Sequence, residues 1–119
     1  MCGIVGIFDR NDTGKQWPVA ELERMVRAIG HRGPDDSGVY SGSGVFLGHA
    51  RLAVLDVTSA GHQPMFSRDK RHGVVYNGEI YNFREIRRDL ESKGHVFATR
   101  CDTEVLLAAW QEWGDGCLD

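Results

Sequence analysis

An apolar run opens at the second residue. In Met1-Cys2-Gly3-Ile4-Val5-Gly6-Ile7-Phe8 the first charged residues, Asp9 and Arg10, come only after it. Ile4, Val5, Ile7 and Phe8 alternate weakly around Gly3 and Gly6, which predicts a short buried strand and a chain that begins inside its own fold. No basic segment precedes the run and no small-residue cleavage site comes after it, so this start is not read as a signal peptide.

Further along, Val19, Leu22, Met25, Val26 and Ile29 recur at helical spacing after Pro18, predicting an amphipathic helix to about Gly30. His31-Arg32-Gly33-Pro34-Asp35-Asp36 interrupts it as a loop. Short β-prone runs come next: Val39-Tyr40 and Val45-Phe46-Leu47 about a Gly42-Ser43-Gly44 turn, then Arg51 to Val57 as another strand. Ser59 to Lys70 reads as a loop long enough to be functional. Val74-Val75-Tyr76 and Ile80-Tyr81 flank Asn77-Gly78, a strong hairpin signal. Asn82, with Glu85 three residues on, resembles a capping box for a helix whose Phe83, Ile86 and Leu90 share a face, ending near Gly94. His95 to Ala98 reads as a strand. Asp102 is placed to cap a last helix whose apolar residues, Val105 to Trp110 and Trp113, wrap nearly all round it, so that helix should be buried.

Bulk properties narrow the function. A chain of 119 residues suits one core, and 41% hydrophobic with 26% charged residues is ordinary for a soluble protein, expected in the cytoplasm. A net charge of -3 gives no basic footprint, so nucleic acid is not expected as a partner. No apolar run approaches the ~18 residues of a bilayer span, so no membrane is expected either. Gly42-x-Gly44 followed by Gly48 has the wrong spacing for a dinucleotide loop. His31, His49, His62, His72 and His95 show no helical i,i+4 pair and no nearby cysteine; they read as loop or strand-end residues, and no metal is expected. The three cysteines include no CxxC pair. Cys101 and Cys117 are by default packing or surface thiols.

Cys2 is different because of its place next to Met1. With Met1 removed, one residue would carry both a thiol and a free α-amine, a nucleophile with its own base. An α-amine titrates at about 7.7 to 8.0, close to the optimum for a base working near neutrality.

Six blocks occur in order: Cys2-Gly3-Ile4-Val5-Gly6, His31-Arg32-Gly33-Pro34-Asp35-Asp36, Gly48-His49-Ala50-Arg51-Leu52, Gly61-His62-Gln63-Pro64-Met65, Tyr76-Asn77-Gly78-Glu79-Ile80-Tyr81-Asn82 and Asp102-Thr103-Glu104-Val105. Together they resemble the N-terminal-nucleophile glutaminase domain of class II glutamine amidotransferases. Pro34-Asp35-Asp36 and Ile80-Tyr81-Asn82 resemble its asparagine synthetase branch. The resemblance implies an α+β, Ntn-hydrolase-like αββα sandwich, incomplete in this chain. Residues 1–119 would be the N-terminal part of the glutaminase domain, without the synthetase domain normally in the same polypeptide.

The same resemblance implies roles. Cys2 would attack the side-chain amide of L-glutamine and pass through a thioester. Asn77 and the Gly78 N–H would form the oxyanion hole. Arg51 would clamp the substrate α-carboxylate, with Leu52 beside it, and Glu79 and Asp102 would hold the α-ammonium. Arg32 would lie in a loop near the nucleophile, and Gly61 to Met65, including His62 and Gln63, would be a flap over the substrate. No cofactor is expected in this chain; ATP and Mg belong to the synthetase domain. Aspartate is the expected acceptor, with another acceptor, or a non-catalytic glutamine-binding fragment, as the alternatives. A homodimer is compatible with this picture.

Overall fold

A computed structural model of the protein describes residues 1–118 apart from positions 12, 15, 43 and 55. The fold is α+β, with antiparallel pairing throughout its named strands. It divides into two units. The first comprises Met1–Ala53, His62–Pro64 and Val75–Gly78; the second comprises Val54–Gly61, Met65–Val74 and Glu79–Asp119.

In the first unit, β1 (Gly3–Phe8), β2 (Asp36–Gly42) and β3 (Val45–Arg51) form a sheet in the order β1-β3-β2. Gly3 lies opposite Ala50 and Phe8 opposite Val45, while Asp36 lies opposite Arg51 and Gly42 opposite Val45. The β2–β3 hairpin forms where expected. Gly44 adopts φ 68°, a conformation glycine reaches without a Cβ clash. Ser43, the middle of the expected turn, lies outside the described residues.

Side chains alternate across β3, so its two faces differ. Phe46, Gly48 and Ala50 share one face, covered by helix α1 (Val19–Ala28). Leu22 and Val26 of α1 are buried, and a Cβ on Gly48 would meet Val26 and Val5. Burying each of those aliphatic side chains stabilises the unit by roughly 1.5 to 3 kcal/mol. Trp17 meets Phe46 edge-on, with ring centroids 6.2 Å apart. The opposite face carries His49 and Arg51, both buried. β1 is an edge strand, and Ile4 and Phe8 on this second face are 49% and 72% exposed. The expectation of a buried first strand therefore holds only in part: on its other face Gly3 is buried and Val5 and Ile7 are half-buried.

The second unit is built on helices. α2 (Phe83–Ser92) and α3 (Asp102–Trp113) bury Leu90, Val105, Ala108 and Ala109 between them, with Phe83, Ile86, Phe97 and Cys117 packed around. β4 (Met65–Phe66) and β5 (Gly73–Val74) form a small hairpin, and Met65, Val74, Cys101 and Leu107 make a further cluster. Gly94 takes φ 96° just past α2, the usual left-handed helix stop. α3 is less buried than its composition suggests, since Trp110 and Trp113 are 42% and 38% exposed.

Several predicted elements are absent, and for a shared reason. After Arg51 the described residues of the expected strand to Val57 are irregular; Leu55, also in it, lies outside the described residues. There the Leu52 N–H donates to Cys2 Sγ and the Ala53 N–H to Asp35 Oδ2. The Asn77-Gly78 hairpin does not form either: neither residue has the positive φ of a type I′ turn, and Tyr76 N–H donates to Gln63 Oε1. β5 pairs instead with β4, inside the stretch expected to be all loop. Ala98 N–H and Thr99 N–H donate to the Glu104 carboxylate in place of a strand over 95–98. In each case side-chain acceptors take the N–H groups a neighbouring strand would need.

The helix caps differ as well. Asn82 stands at the α2 N-cap with φ -92° and ψ 18° and makes no side-chain cap bond. Cys101, not Asp102, is the α3 N-cap; Asp102 is the first helical residue.

Candidate functional site

The first unit brings several of the expected site residues together at one end of its sheet. Cys2 immediately precedes β1 and is half-buried. Its Sγ lies 3.3 Å from the Leu52 N–H nitrogen and 3.6 Å from the Leu52 carbonyl oxygen. One residue thus offers the thiol both a donor and an acceptor, fixing its orientation. Arg32, from a single 3-10 turn at Gly30–Arg32, donates through Nε to the Cys2 carbonyl at 3.0 Å. Arg32 therefore holds the main chain of Cys2, not its sulfur.

The motif around Arg32 secures the end of β3. A Cβ on Gly33 would collide with the backbone of Ala50 and Arg51, so only glycine permits this close approach. Asp35 N–H donates to the Arg51 carbonyl at 3.0 Å, and Asp35 Oδ2 accepts the Ala53 N–H at 2.8 Å. Arg51 and Leu52 are therefore gripped on both sides by one short loop. Arg51 is 7% exposed, a buried guanidinium at the end of the central strand.

The segment His62–Pro64 lies against β2, where a Cβ on Gly38 would strike Gln63 O and the His62 ring. The two expected flap residues part company here. His62 is exposed and its Nδ1 sits 2.7 Å from Asp36 Oδ2, whereas Gln63 is buried and accepts the Tyr76 N–H at 2.6 Å. Asn77, half-buried, and Gly78, exposed, come directly after Tyr76. A cavity of about 790 Å³ in this unit is lined by Pro34, Asp36, Ala50 and His62 among others, and Cys2 is not one of its lining residues.

Glu79 and Asp102 belong to the second unit. Glu79 is exposed. Asp102 is 5% exposed and its Oδ2 accepts the Ile80 N–H at 3.0 Å. Cys101 is buried with its Sγ 2.9 Å from Thr99 Oγ1, and Cys117 is half-buried against the α2–α3 core. Among the described residues no group of three or more His, Cys, Asp or Glu side chains is placed to share a metal ion.

His49 is the residue that sequence patterning misplaces. It is neither in a loop nor at a strand end but within β3, fully buried, with Nε2 3.2 Å from the Tyr76 carbonyl. Burial lowers its pKa below 6.5; the Tyr76 hydrogen bond acts against that, and the Arg51 charge reinforces it. The available signal was period two: His49 and Arg51 share a face of a strand whose other face is apolar.

The whole chain, residues 1–119, matches the family model of the glutamine amidotransferase domain. It is 41% identical over 95% of its length to asparagine synthetase [glutamine-hydrolyzing] 1 of Bacillus subtilis, covering 18% of that protein. It is 43% identical over its full length to asparagine synthetase [glutamine-hydrolyzing] 1 of Arabidopsis thaliana, covering 20% of it. With asparagine synthetase B [glutamine-hydrolyzing] of Escherichia coli the identity is 40%, again over the full chain and 21% of the relative. The chain thus spans about a fifth of the length of these relatives. A match of the family model over every residue, on a chain whose Cys2 sulfur is held by Leu52 just past the end of its central strand, means that this protein belongs to the glutamine amidotransferase domain family.

Proposed function

We propose that this chain is the N-terminal part of the glutaminase domain of a glutamine-dependent asparagine synthetase, with an Ntn-hydrolase-like αββα architecture completed by residues C-terminal to these. The observation that carries the reading is the Cys2 thiol held between the N–H and carbonyl of Leu52, on the residue that Met1 removal would expose. Once Met1 is removed, the α-amine of Cys2 takes the thiol proton as Sγ attacks the glutamine side-chain carbonyl. The developing oxyanion is stabilised by the Asn77 amide and the Gly78 N–H. The α-amine returns the proton to the departing nitrogen, which leaves as ammonia. Water then attacks the thioester, the same amine accepting its proton, to release glutamate and restore the thiol.

Arg51 binds the substrate α-carboxylate and Glu79 and Asp102 bind its α-ammonium, matching opposite charges to a zwitterion. Arg32 keeps the Cys2 main chain in place. The ammonia would serve to amidate aspartate in the synthetase domain, where ATP and Mg act.

Met1 removal is central, because while Met1 is attached the Cys2 nitrogen is a peptide amide whose lone pair is delocalised. The test is made on the full-length protein. Mass spectrometry should find Met1 absent from active preparations, and a glutamine-like chloroketone should label Cys2 and abolish ammonia release. Equal glutaminase rates from Met1-blocked and processed protein, or labelling at Cys101 or Cys117 instead, would overturn the mechanism. Saturable glutamine binding without glutamate formation in the processed protein would identify a binding module instead.

A further inference from the structure

Two buried side chains that no step of the proposed reaction uses converge on Tyr76, the residue before Asn77-Gly78. Gln63 Oε1 accepts the Tyr76 N–H at 2.6 Å, and His49 Nε2 lies 3.2 Å from the Tyr76 carbonyl. Gln63 is 6% exposed and His49 0%. These bonds fix different peptide planes. The Tyr76 N–H lies in the plane shared with Val75, whereas its carbonyl lies in the plane shared with the nitrogen of Asn77. Both planes flanking Tyr76 are thereby pinned, and Asn77 enters from a backbone with little freedom left.

The imidazole must donate to make its bond, since a carbonyl only accepts. Because burial disfavours the cation, the ring makes this bond as the neutral tautomer with its proton on Nε2, which leaves Nδ1 bare. Nδ1 is buried with no hydrogen-bond partner among the described residues. A methionine or leucine would fill similar space without stranding a polar atom, so packing does not account for histidine at this position. What histidine adds is a rigid donor aimed at the Tyr76 carbonyl.

We infer that His49 and Gln63 are positioning residues that hold the Asn77-Gly78 donors at the place where the oxyanion develops. The inference rests on the oxyanion role proposed for Asn77 and Gly78. It predicts an effect on the chemical step and not on ground-state binding, because an oxyanion-hole donor displaced by about 1 Å fails mainly in the transition state, with losses of up to about 100-fold.

The experiment compares His49→Met with His49→Gln, and Gln63→Met with Gln63→Glu, in the full-length protein. Each pair removes or keeps the hydrogen-bonding function. Three quantities are read: kcat for glutamine hydrolysis, KM for glutamine, and the rate of Cys2 alkylation by iodoacetamide. Alkylation displaces iodide at a saturated carbon and develops no oxyanion, so it reports the nucleophile alone. His49→Met and Gln63→Met should lower kcat by about 10- to 100-fold, with KM and alkylation little changed. His49→Gln and Gln63→Glu should recover most of the loss. Wild-type kcat in both methionine variants, parallel loss of turnover and alkylation, or no recovery in the glutamine and glutamate variants would each overturn the inference. If His49→Met does not fold, the Gln63 pair decides. Asn77→Ala is run beside them: no effect there removes the oxyanion hole itself, a failure of the parent reading separate from any result at His49 or Gln63.

Discussion

The two units bury polar groups for different ends. In the first, Arg51, His49 and Gln63 are buried around the end of a central strand, and they or their neighbours hold the backbone at Cys2, Leu52 and Tyr76. In the second, the core is aliphatic, and acidic side chains in the first turn of α3 accept from irregular segments outside the helices: Glu104 takes the N–H groups of Ala98 and Thr99, and Asp102 that of Ile80. A buried polar residue beside reactive groups sets geometry; an acidic one at the start of α3 satisfies backbone N–H groups that no strand pairs. Substitutions in the first unit should therefore register mainly in rate, and most of those in the second mainly in stability.

The largest expected effect lies in the first unit. Asn77→Ala in the full-length protein should lower kcat for glutamine hydrolysis by roughly 10²- to 10³-fold, the usual loss for one oxyanion donor, with a modest change in urea stability. An unchanged kcat would reduce Asn77 to a loop residue. The counterpart in the second unit is Leu90→Ala, at a side chain with no exposure between α2 and α3. It should cost about 3 kcal/mol, read from urea denaturation followed by tryptophan fluorescence. A cost below about 1 kcal/mol would mean the helix pair collapses around the gap and carries little of the unit's stability.

Legibility in the sequence divides along similar lines. α1 and α2 were legible because Leu22 and Val26, and Ile86 and Leu90, recur every three or four residues, and α3 from the long apolar run Val105 to Trp110 after Asp102, signals that need no distant partner. β1 and the β2–β3 hairpin were legible from apolar runs and the glycine turn. Of the strands expected over 51–57, 74–76 with 80–81, and 95–98, only Arg51 and Val74 lie in strands, because the acceptors for Leu52, Ala53, Tyr76, Ala98 and Thr99 are Cys2, Asp35, Gln63 and Glu104, and periodicity is blind to a side-chain acceptor. In the candidate site, the Cys2, Arg32 and Arg51 motifs were read from residue order. Their packing on Gly33, and the part played by His49, required the sheet register that brings Gly38 opposite His49 and Asp36 opposite Arg51.

Arg51 gives an intermediate effect and tests whether buried charge in the first unit serves substrate or fold. Arg51→Ala should raise KM for glutamine, a loss on the order of 1.5 to 3 kcal/mol in kcat/KM, as for a hydrogen bond to a charged group. Arg51→Lys keeps the charge but not the paired donors and should recover only part of it. Unaltered KM in a folded Arg51→Ala protein would assign the guanidinium to structure.

The smallest effect separates the units by pH. His49 is held below 6.5 chiefly by burial; Arg51 and His62 lower it further, while the Tyr76 bond and Asp36 act against the shift. As pH falls through 6.5, the unfolded chain protonates this histidine and the folded chain does not until a lower pH. The unfolded state then binds more protons, so stability declines with acidification across that window and is fully retained above it. Asp69, in the second unit, is also lowered, from 3.8, by the Ser67 hydroxyl and the Arg71 N–H that donate to its carboxylate. Its contribution is present above 3.8 and is lost only as pH falls below that value toward the folded pKa. Urea midpoints measured from about pH 7.5 down to about pH 5.5 should therefore fall faster for the wild type than for His49→Gln, which has no imidazole to protonate. Asp69→Asn should track the wild type over that range and depart from it only in stronger acid. Parallel midpoints for wild type and His49→Gln would mean that the folded chain protonates His49 as readily as the unfolded one, so that burial does not hold the imidazole neutral across this range.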